Sequence, residues 1–489
     1  MLESCKLIII LAFLANFFFL LNFSQPWDQS LAWEEYIQRL LPDRMHQNII
    51  NFPTYCDEVS RYQSTSKIYL NSLGIPIRSN KILYADYTYD SYTRKVLSNY
   101  TKLVMPQHFT RMNSKYHPWE KLYPEISMFF VHEPAWHDYH EIGKHFLCKG
   151  QRYNHIPGNH HLNFKDETAN RLQEYGKKYY KGRANCFNHL TILPKTYDLS
   201  DLNQCKEYFS QLAQESGPQI NWIVKISRYS HNGQGITLID EENRKLALEE
   251  YDYGNKCNEA SGFIAQKYIN DPFLIDGKKF DFRAYLLIAS MDPLMILFHD
   301  GFVRITLDQY DPEISDRSKH LTNLDVAENY LNKKNASESQ FQDALNDQGW
   351  GYNQFEDYLV KNGYVEKGWM DNVLRKEMKK YMLHIVRMNL GLMLKHPGVF
   401  ELFGIDFILD EKLHLWFIEA NLTPCVTEKN DMKRDLNSKV LQTIVDMQYA
   451  IMYNADVDSV IEGSDFEWIF DDRKILWEKY HGLLDMECV

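Results

Sequence analysis

The chain has no C-x-x-C pair, no G-x-x-x-x-G-K-[ST] loop and no G-x-G-x-x-G run opening a helical pattern. Neither a P-loop nor a dinucleotide-binding fingerprint is therefore present. Internal repeats and low-complexity tracts are also missing. Positive charge is in deficit: 54 Lys and Arg against 66 Asp and Glu give a net charge of −12. Nucleic acid is excluded as the main partner, because phosphate binding needs a basic footprint. An acidic protein substrate stays open, since charge segregates locally. The eight cysteines follow no framework: Cys5 lies beside an apolar N-terminal stretch, and Cys56, Cys148, Cys186, Cys205, Cys257, Cys425 and Cys488 are scattered and odd in number. That usage predicts a reduced, intracellular protein.

What is present is a globular composition, 44% apolar and 25% charged over 489 residues, enough for one to three domains. Residues 7–21 are apolar and uncharged, with Lys6 before them. Their length suits the core of a signal peptide or a signal anchor, so residues 1–32 are expected to target or anchor the chain at a membrane. Asn99-Tyr100-Thr101, Asn335-Ala336-Ser337 and Asn421-Leu422-Thr423 would be glycan acceptors in a lumen. Residues 33–150 show no catalytic motif. Their cluster His132, His137, His140 and His145 matches no zinc ligand spacing and reads as aromatic packing and surface histidines. Lys149, Arg152, Lys165, Arg171, Lys177, Lys178 and Lys181 form a basic stretch, expected either to dock a partner or to face solvent.

Chemistry begins with two apolar runs, 401–410 and 415–421, joined by a polar turn. They predict a β-hairpin. Alternation places Glu419 and Asn421 on one face. With Leu409 opposite His414, Asp406 would lie opposite Phe417 and diagonal to Glu419. Two carboxylates and an amide oxygen then converge beside an apolar face, a donor set suited to Mg²⁺. Upstream, the buried strand 222–226 carries Lys225 and runs into a loop containing Ser230, Gly233, Gly235 and Ile236, whose amides could cover phosphates. Residues 263–269 form a further strand. Residues 278–288 place Lys279, Asp281 and Arg283 on one face, and 301–304 add Arg304. One aspartate cannot balance three cations emerging from buried strands, so an anionic substrate is expected. Helices are expected over 166–179, 202–214, 371–394 and 436–453, with polar loops at 311–319 and 332–348.

In their order and spacing, WIVKISRYSHNGQGI, IAQKYI, DGKKFDFRAYLLIAS, GFVRITL, KHLTN and ELFGIDFILD…LWFIEANLTP resemble the tubulin tyrosine ligase-like proteins, and most closely their polyglycylase branch. The resemblance spans about Pro157 to Val426, over half the chain. It implies an α/β (α+β) ATP-grasp fold, with N-terminal, central and C-terminal subdomains around a nucleotide cleft over residues 151–455, followed by a C-terminal tail at 456–489. It also implies an ATP- and Mg²⁺-dependent ligase that activates a carboxylate as an acylphosphate and joins it to glycine or glutamate. Tubulin or microtubules would be the partner, in the cytoskeleton or cilium. By the same resemblance, Lys225 and Lys267 would meet the nucleotide phosphates, with Ser230, Gly233, Gly235 and Ile236 in the covering loop. Gln266, Tyr268 and Ile269 would form the adenine hinge. Asp406, Glu419 and Asn421 would hold Mg²⁺; Lys279, Arg283 and Arg304 would carry catalytic charge, with residues 320–323 beside them. Ile226 stands where the family commonly has proline, and Ala420 and Leu422 vary the acidic strand; neither change removes a ligand.

Overall fold

The computed structural model describes residues 84–86, 128–130, 147, 151–179, 188–228, 233–424, 426, 431–452 and 454–474. The apolar stretch 7–21, most of 33–150, the histidine cluster, Asn99, Ser230 and six of the eight cysteines lie outside them. Among the described residues no helix is long and apolar enough to cross a membrane.

Three sheets organise the chain. The short strands β1 (Tyr84–Asp86), β2 (Met128–Phe130) and β3 (Arg152–Tyr153) pair in parallel. An antiparallel four-stranded sheet has the order β4 (Thr196–Asp198), β7 (Phe263–Lys267), β5 (Trp222–Ile226), β6 (Ile236–Ile239). A seven-stranded antiparallel sheet runs β11 (Gly349–Trp350), β10 (Leu294–Ile305), β9 (Lys278–Met291), β12 (Glu401–Leu409), β13 (Leu415–Leu422). In it β8 (Leu274–Ile275) pairs with β9, and β14 (Glu467–Asp471) with β10. The helices used below are α1 (Lys165–Tyr179), α2 (Leu202–Leu212), α3 (Glu241–Glu250), α4 (Arg317–His320), α5 (Leu324–Lys333), α6 (Glu338–Asp347), α7 (Tyr352–Lys361), α8 (Arg375–Asn389), α9 (Asp431–Met452) and α10 (Val457–Glu462). This mixture is the expected α+β architecture.

Strand β9 shows why the large sheet forms. Its even-numbered residues Phe280, Phe282, Ala284, Leu286 and Ile288 pack into one core with Phe355 of α7 and Met382 and Ile385 of α8. Its odd-numbered residues Tyr285, Leu287 and Ala289 pack into another with Val440, Leu441 and Ile444 of α9. A strand covered on both faces must be nearly continuously apolar, as β9 is. The exceptions, Lys279, Asp281 and Arg283, share the odd face but lie at the other end, beyond the cover of α9. In the small sheet Trp222 and Ala265 face α2, which turns their neighbours Ile223, Lys225, Ile264 and Gln266 the opposite way.

Several expectations need correction. The polar stretches expected as loops contain α4, α5 and α6. Ser337 caps α6 in a capping box with Gln340, which offsets the weak apolar signal there. Part of the expected tail is built in: α10 and β14 cover 457–471, and β14 extends the large sheet. Within the basic stretch Arg152 is buried on Gln448 and Ala289 and belongs to no face, while Arg171 pairs with Glu167 and Lys177 is exposed. Lastly, Cys205 and Cys257 form a disulfide inside the core of the small sheet, against the reading of a wholly reduced chain. They stand 52 residues apart, so only folding brings them together.

Candidate active site

A cleft of about 480 Å³ opens between the inner faces of the small and large sheets. Its wall from the small sheet is polar where the strands turn inward. Lys225 Nζ donates to Gln266 Oε1 at 2.9 Å, and Gln266 Nε2 donates to Thr196 Oγ1 at 3.0 Å. Gly233 and Gly235 adopt φ of +72° and +67°, a region that favours glycine. A Cβ on Gly235 would also meet Ile226 Cδ1 at 2.2 Å. Gly233, Ile236, Tyr268 and Ile269 line the cleft together.

The floor comes from β9, β10, β12 and β13. Arg283 Nε donates to Asp406 Oδ1 at 2.5 Å and its Nη2 to Oδ2 at 3.1 Å. Arg304 donates to both oxygens of Asp281 at 2.7 Å and approaches Asp406 Oδ2 at 2.9 Å. Thr322, from the segment after α4, donates to Asp281 Oδ2 at 2.6 Å. Both arginines are thus paired, which corrects the expectation of three cations facing one aspartate: Asp406 is the second counter-charge. Burial opposes the charge on each arginine, but the carboxylates outweigh it and raise both above the usual guanidinium value.

The two lysines differ. Among the described residues no carboxylate lies within ion-pair distance of Lys225 or Lys279. Lys279 Nζ donates to the Tyr268 hydroxyl at 2.6 Å, and Tyr268 meets His320 Nδ1 at 2.7 Å. Because His320 Nε2 donates to the Ile314 carbonyl at 2.6 Å, its Nδ1 is the acceptor and Tyr268 the donor. Burial pushes Lys279 down to about 7 and Lys225 down to about 8. An anion placed between them would restore both charges. The ion-paired cations of the cleft are therefore the arginines rather than these lysines.

The acidic strand also departs from expectation. Leu409 pairs with Leu415 rather than His414, and an irregularity between Asp406 and Phe407 sets Asp406 directly opposite Glu419. Asp410 fixes the turn by accepting from the backbone of Lys412 and His414. Asn421 Nδ2 reaches Asp406 Oδ2 at 3.2 Å and Glu419 Oε1 at 3.3 Å. Burial alone would raise the Glu419 carboxyl; Lys165 and Lys225 outweigh it and hold it down at about 2. Two carboxylates converging with one amide fit a hard divalent cation, once the Asn421 amide turns its oxygen inward.

The cleft brings together Lys225, Gly233, Ile236, Gln266, Tyr268, Ile269, Lys279, Arg283, Arg304, Asp406, Glu419 and Asn421, whereas Gly235 stands behind it, packed against Ile226. Lys267 differs. It lines the cleft, but its ammonium sits on Glu215 at 3.1 Å and over the Trp222 ring. It follows Gln266, so alternation turns its side chain toward the Trp222 face of the sheet.

Two cleft residues escaped the sequence reading. Lys165, the first residue of α1, stands 3.4 Å from Glu419. It is carried there by residues 155–163, which Glu401 fixes through Ile156 N, Asn159 Nδ2 and His155 Nδ1. Lys433, from the first turn of α9, also lines the cleft and lies over the Phe302 ring.

Residues 144–458 match the Tubulin-tyrosine ligase family. The protein polyglycylase TTLL10 of Macaca fascicularis is 32% identical over 267 residues, 52% of this chain and 41% of that protein. The human protein named inactive polyglycylase TTLL10 is 31% identical over 267 residues, 52% of this chain and 38% of that one. Human tubulin monoglutamylase TTLL4 is 27% identical over 315 residues, 63% of this chain and 24% of its own length. The chain spans less than half the length of each of these relatives.

Proposed function

The chain belongs to the tubulin-tyrosine ligase family, and from that membership we propose that it is an ATP-dependent acid–amino-acid ligase adding glycine to glutamate side chains of tubulin or a similar protein. The observation that carries this reading is the split in the cleft between arginines ion-paired to carboxylates and lysines that have no carboxylate within ion-pair distance. Lys225 and Lys279 await an anion of several charges, and a nucleotide triphosphate supplies it. Gln266, Tyr268 and Ile269, with the Lys267 backbone, form the adenine wall, and residues 233–236 cover the phosphates.

In this reading Asp406, Glu419 and Asn421 hold Mg²⁺, which neutralises phosphate charge when bound. Lys165 balances Glu419 beside it. Lys279, Arg283 and Arg304 stabilise charge developing on the acylphosphate, formed when a substrate carboxylate takes the γ-phosphoryl group and ADP leaves. The incoming amine then attacks the acyl carbon; the carbon–nitrogen bond forms, phosphate departs, and a proton from the nitrogen leaves with it. Such chemistry depends on positioning and charge neutralisation rather than on a covalent protein group.

Glutamate as the added amino acid is the second reading, supported by the relatives named tubulin glutamylases. A silent, tubulin-binding protein is the third; the retention of Arg283, Asp406 and Glu419 opposes it. Mass spectrometry of tubulin incubated with the purified chain, Mg²⁺, ATP and either glycine or glutamate separates them. Added glycine masses support the proposal, glutamate masses move it to the second reading, and no addition despite ATP binding leaves the third or another acceptor.

A further inference from the structure

Two features far apart in the fold bear on one question. Cys205 on α2 and Cys257 in the short turn after α3 are both buried and joined in a disulfide. Such bonds form and persist in oxidising compartments and are rare where glutathione and thioredoxin keep thiols reduced. Independently, Asn335-Ala336-Ser337 has the form of an N-glycan acceptor. It occupies the turn between α5 and α6, with Asn335 exposed and in the left-handed region at φ +54°.

The fold separates this motif from the other acceptor motif among the described residues. Asn421 is half-buried on Asp406 and Glu419, where a glycan would fill the cleft. Asn335 lines no part of the cleft. The uncharged apolar stretch at 7–21 has the composition of a segment that delivers chains to the same compartment.

We infer that this chain is exported into an oxidising lumen, where Asn335 carries an N-linked glycan and Cys205 and Cys257 are held as a disulfide. Glycosylation joins Asn335 Nδ2 to C1 of a sugar and breaks the sugar's bond to a lipid-linked diphosphate, which leaves with the Nδ2 proton. The disulfide forms as the two thiols give two electrons and two protons to a protein disulfide, reduced to its dithiol. Where this rests on the ligase reading, it narrows the acceptor to an acidic lumenal or secreted protein rather than tubulin.

The test is expression of the full chain in cultured eukaryotic cells, followed by digestion with peptide N-glycosidase. A wild-type mobility shift on digestion, smaller by one glycan in Asn335→Gln, is expected. Ser337→Thr keeps the acceptor motif and should keep the glycan, which guards against a variant that merely fails to fold. Alkylation without reductant, read by mass spectrometry, should find Cys205 and Cys257 linked. An unshifted wild type or freely alkylated cysteines would overturn the inference. Ligation is scored separately on the same purified chain, with tubulin and with a secreted glutamate-rich protein as acceptors. Loss of ligation with the glycan present sinks the ligase reading alone, and ligation by an unglycosylated chain sinks this one alone.

Discussion

Arg304 grips two carboxylates at once, Asp281 through both oxygens and Asp406 through one. With Arg283 on the other side of Asp406, three neighbouring strands of the large sheet are tied by charge across their side chains. Removing Asp406 leaves two buried guanidinium groups competing for Asp281. Asp406→Ala should lower unfolding free energy by about 3 kcal/mol, the scale for breaking a buried pair from one side. Chemical denaturation measures it; a loss near zero would mean the arginines find water or other partners.

Glu419 behaves differently, being half-buried with Lys165 as its nearest cation. Glu419→Gln keeps shape and hydrogen bonding but removes the charge. Ligation should fall by roughly a hundredfold or more, with the unfolding midpoint close to wild type. Wild-type ligation by this variant would exclude Glu419 from the metal site.

The lysines set a pH dependence. Lys279 and Lys225 are depressed to about 7 and about 8, so both lose charge as pH rises through that range. Phosphates need the cations, and binding them raises both values. Mg²⁺–ATP affinity should therefore fall as pH climbs from about 7 to 8, and binding near pH 8 should take up protons. Calorimetry in two buffers of different ionisation enthalpy reads that uptake; none would remove the lysines from the phosphate site. Unliganded stability has the opposite sense. The unfolded lysines titrate near ~10.4, so the unfolded chain binds more protons between about 7 and 10, and stability rises with pH there.

Gly404 makes room for Arg283. A Cβ there would meet Arg283 Nη1 at 3.0 Å, its Cδ at 3.1 Å and Pro424 Cβ at 2.9 Å. Gly404→Ala should displace the guanidinium and cut ligation roughly tenfold or more, since small misplacements in a preorganised site are expensive. Its cost in stability should be smaller than that of Asp406→Ala. Equal activity with wild type would show that Arg283 need not sit where it does.

Arg317 donates to the Gly233 carbonyl, linking α4 to the turn between β5 and β6. Mg²⁺–ATP beneath that turn should slow amide hydrogen exchange at residues 233–235. Unchanged exchange on adding nucleotide would count against a phosphate-covering role.

Much of this was readable in the sequence because period-2 burial is a local signal. The strands bearing Lys225, Lys279 and Arg283 announce themselves by charges set among apolar neighbours. The same alternation puts Lys267 on the opposite face from its neighbour Gln266, with its ammonium on Glu215. Ser337-x-x-Gln340 is a capping-box signal set among polar residues that give little helical period of their own. Other features have no local signature. The irregularity beside Asp406 changes which residue opposes Glu419, and no composition marks it. The reach of Lys165 depends on Glu401, more than two hundred residues away, and the Cys205–Cys257 bond on how α2 packs.

In β9, Lys279, Asp281 and Arg283 occupy every second position at one end of a strand whose remaining length is core on both faces. Inserting or deleting one residue between Arg283 and the core-held length of the strand would rotate all three out of the cleft and drive phenylalanines into it. Descent can therefore edit this strand by replacement but not by length. Variation in length has room only in connections such as the turn between α5 and α6, which lines no part of the cleft, and not in the stretch that brings His320 and Thr322 to it.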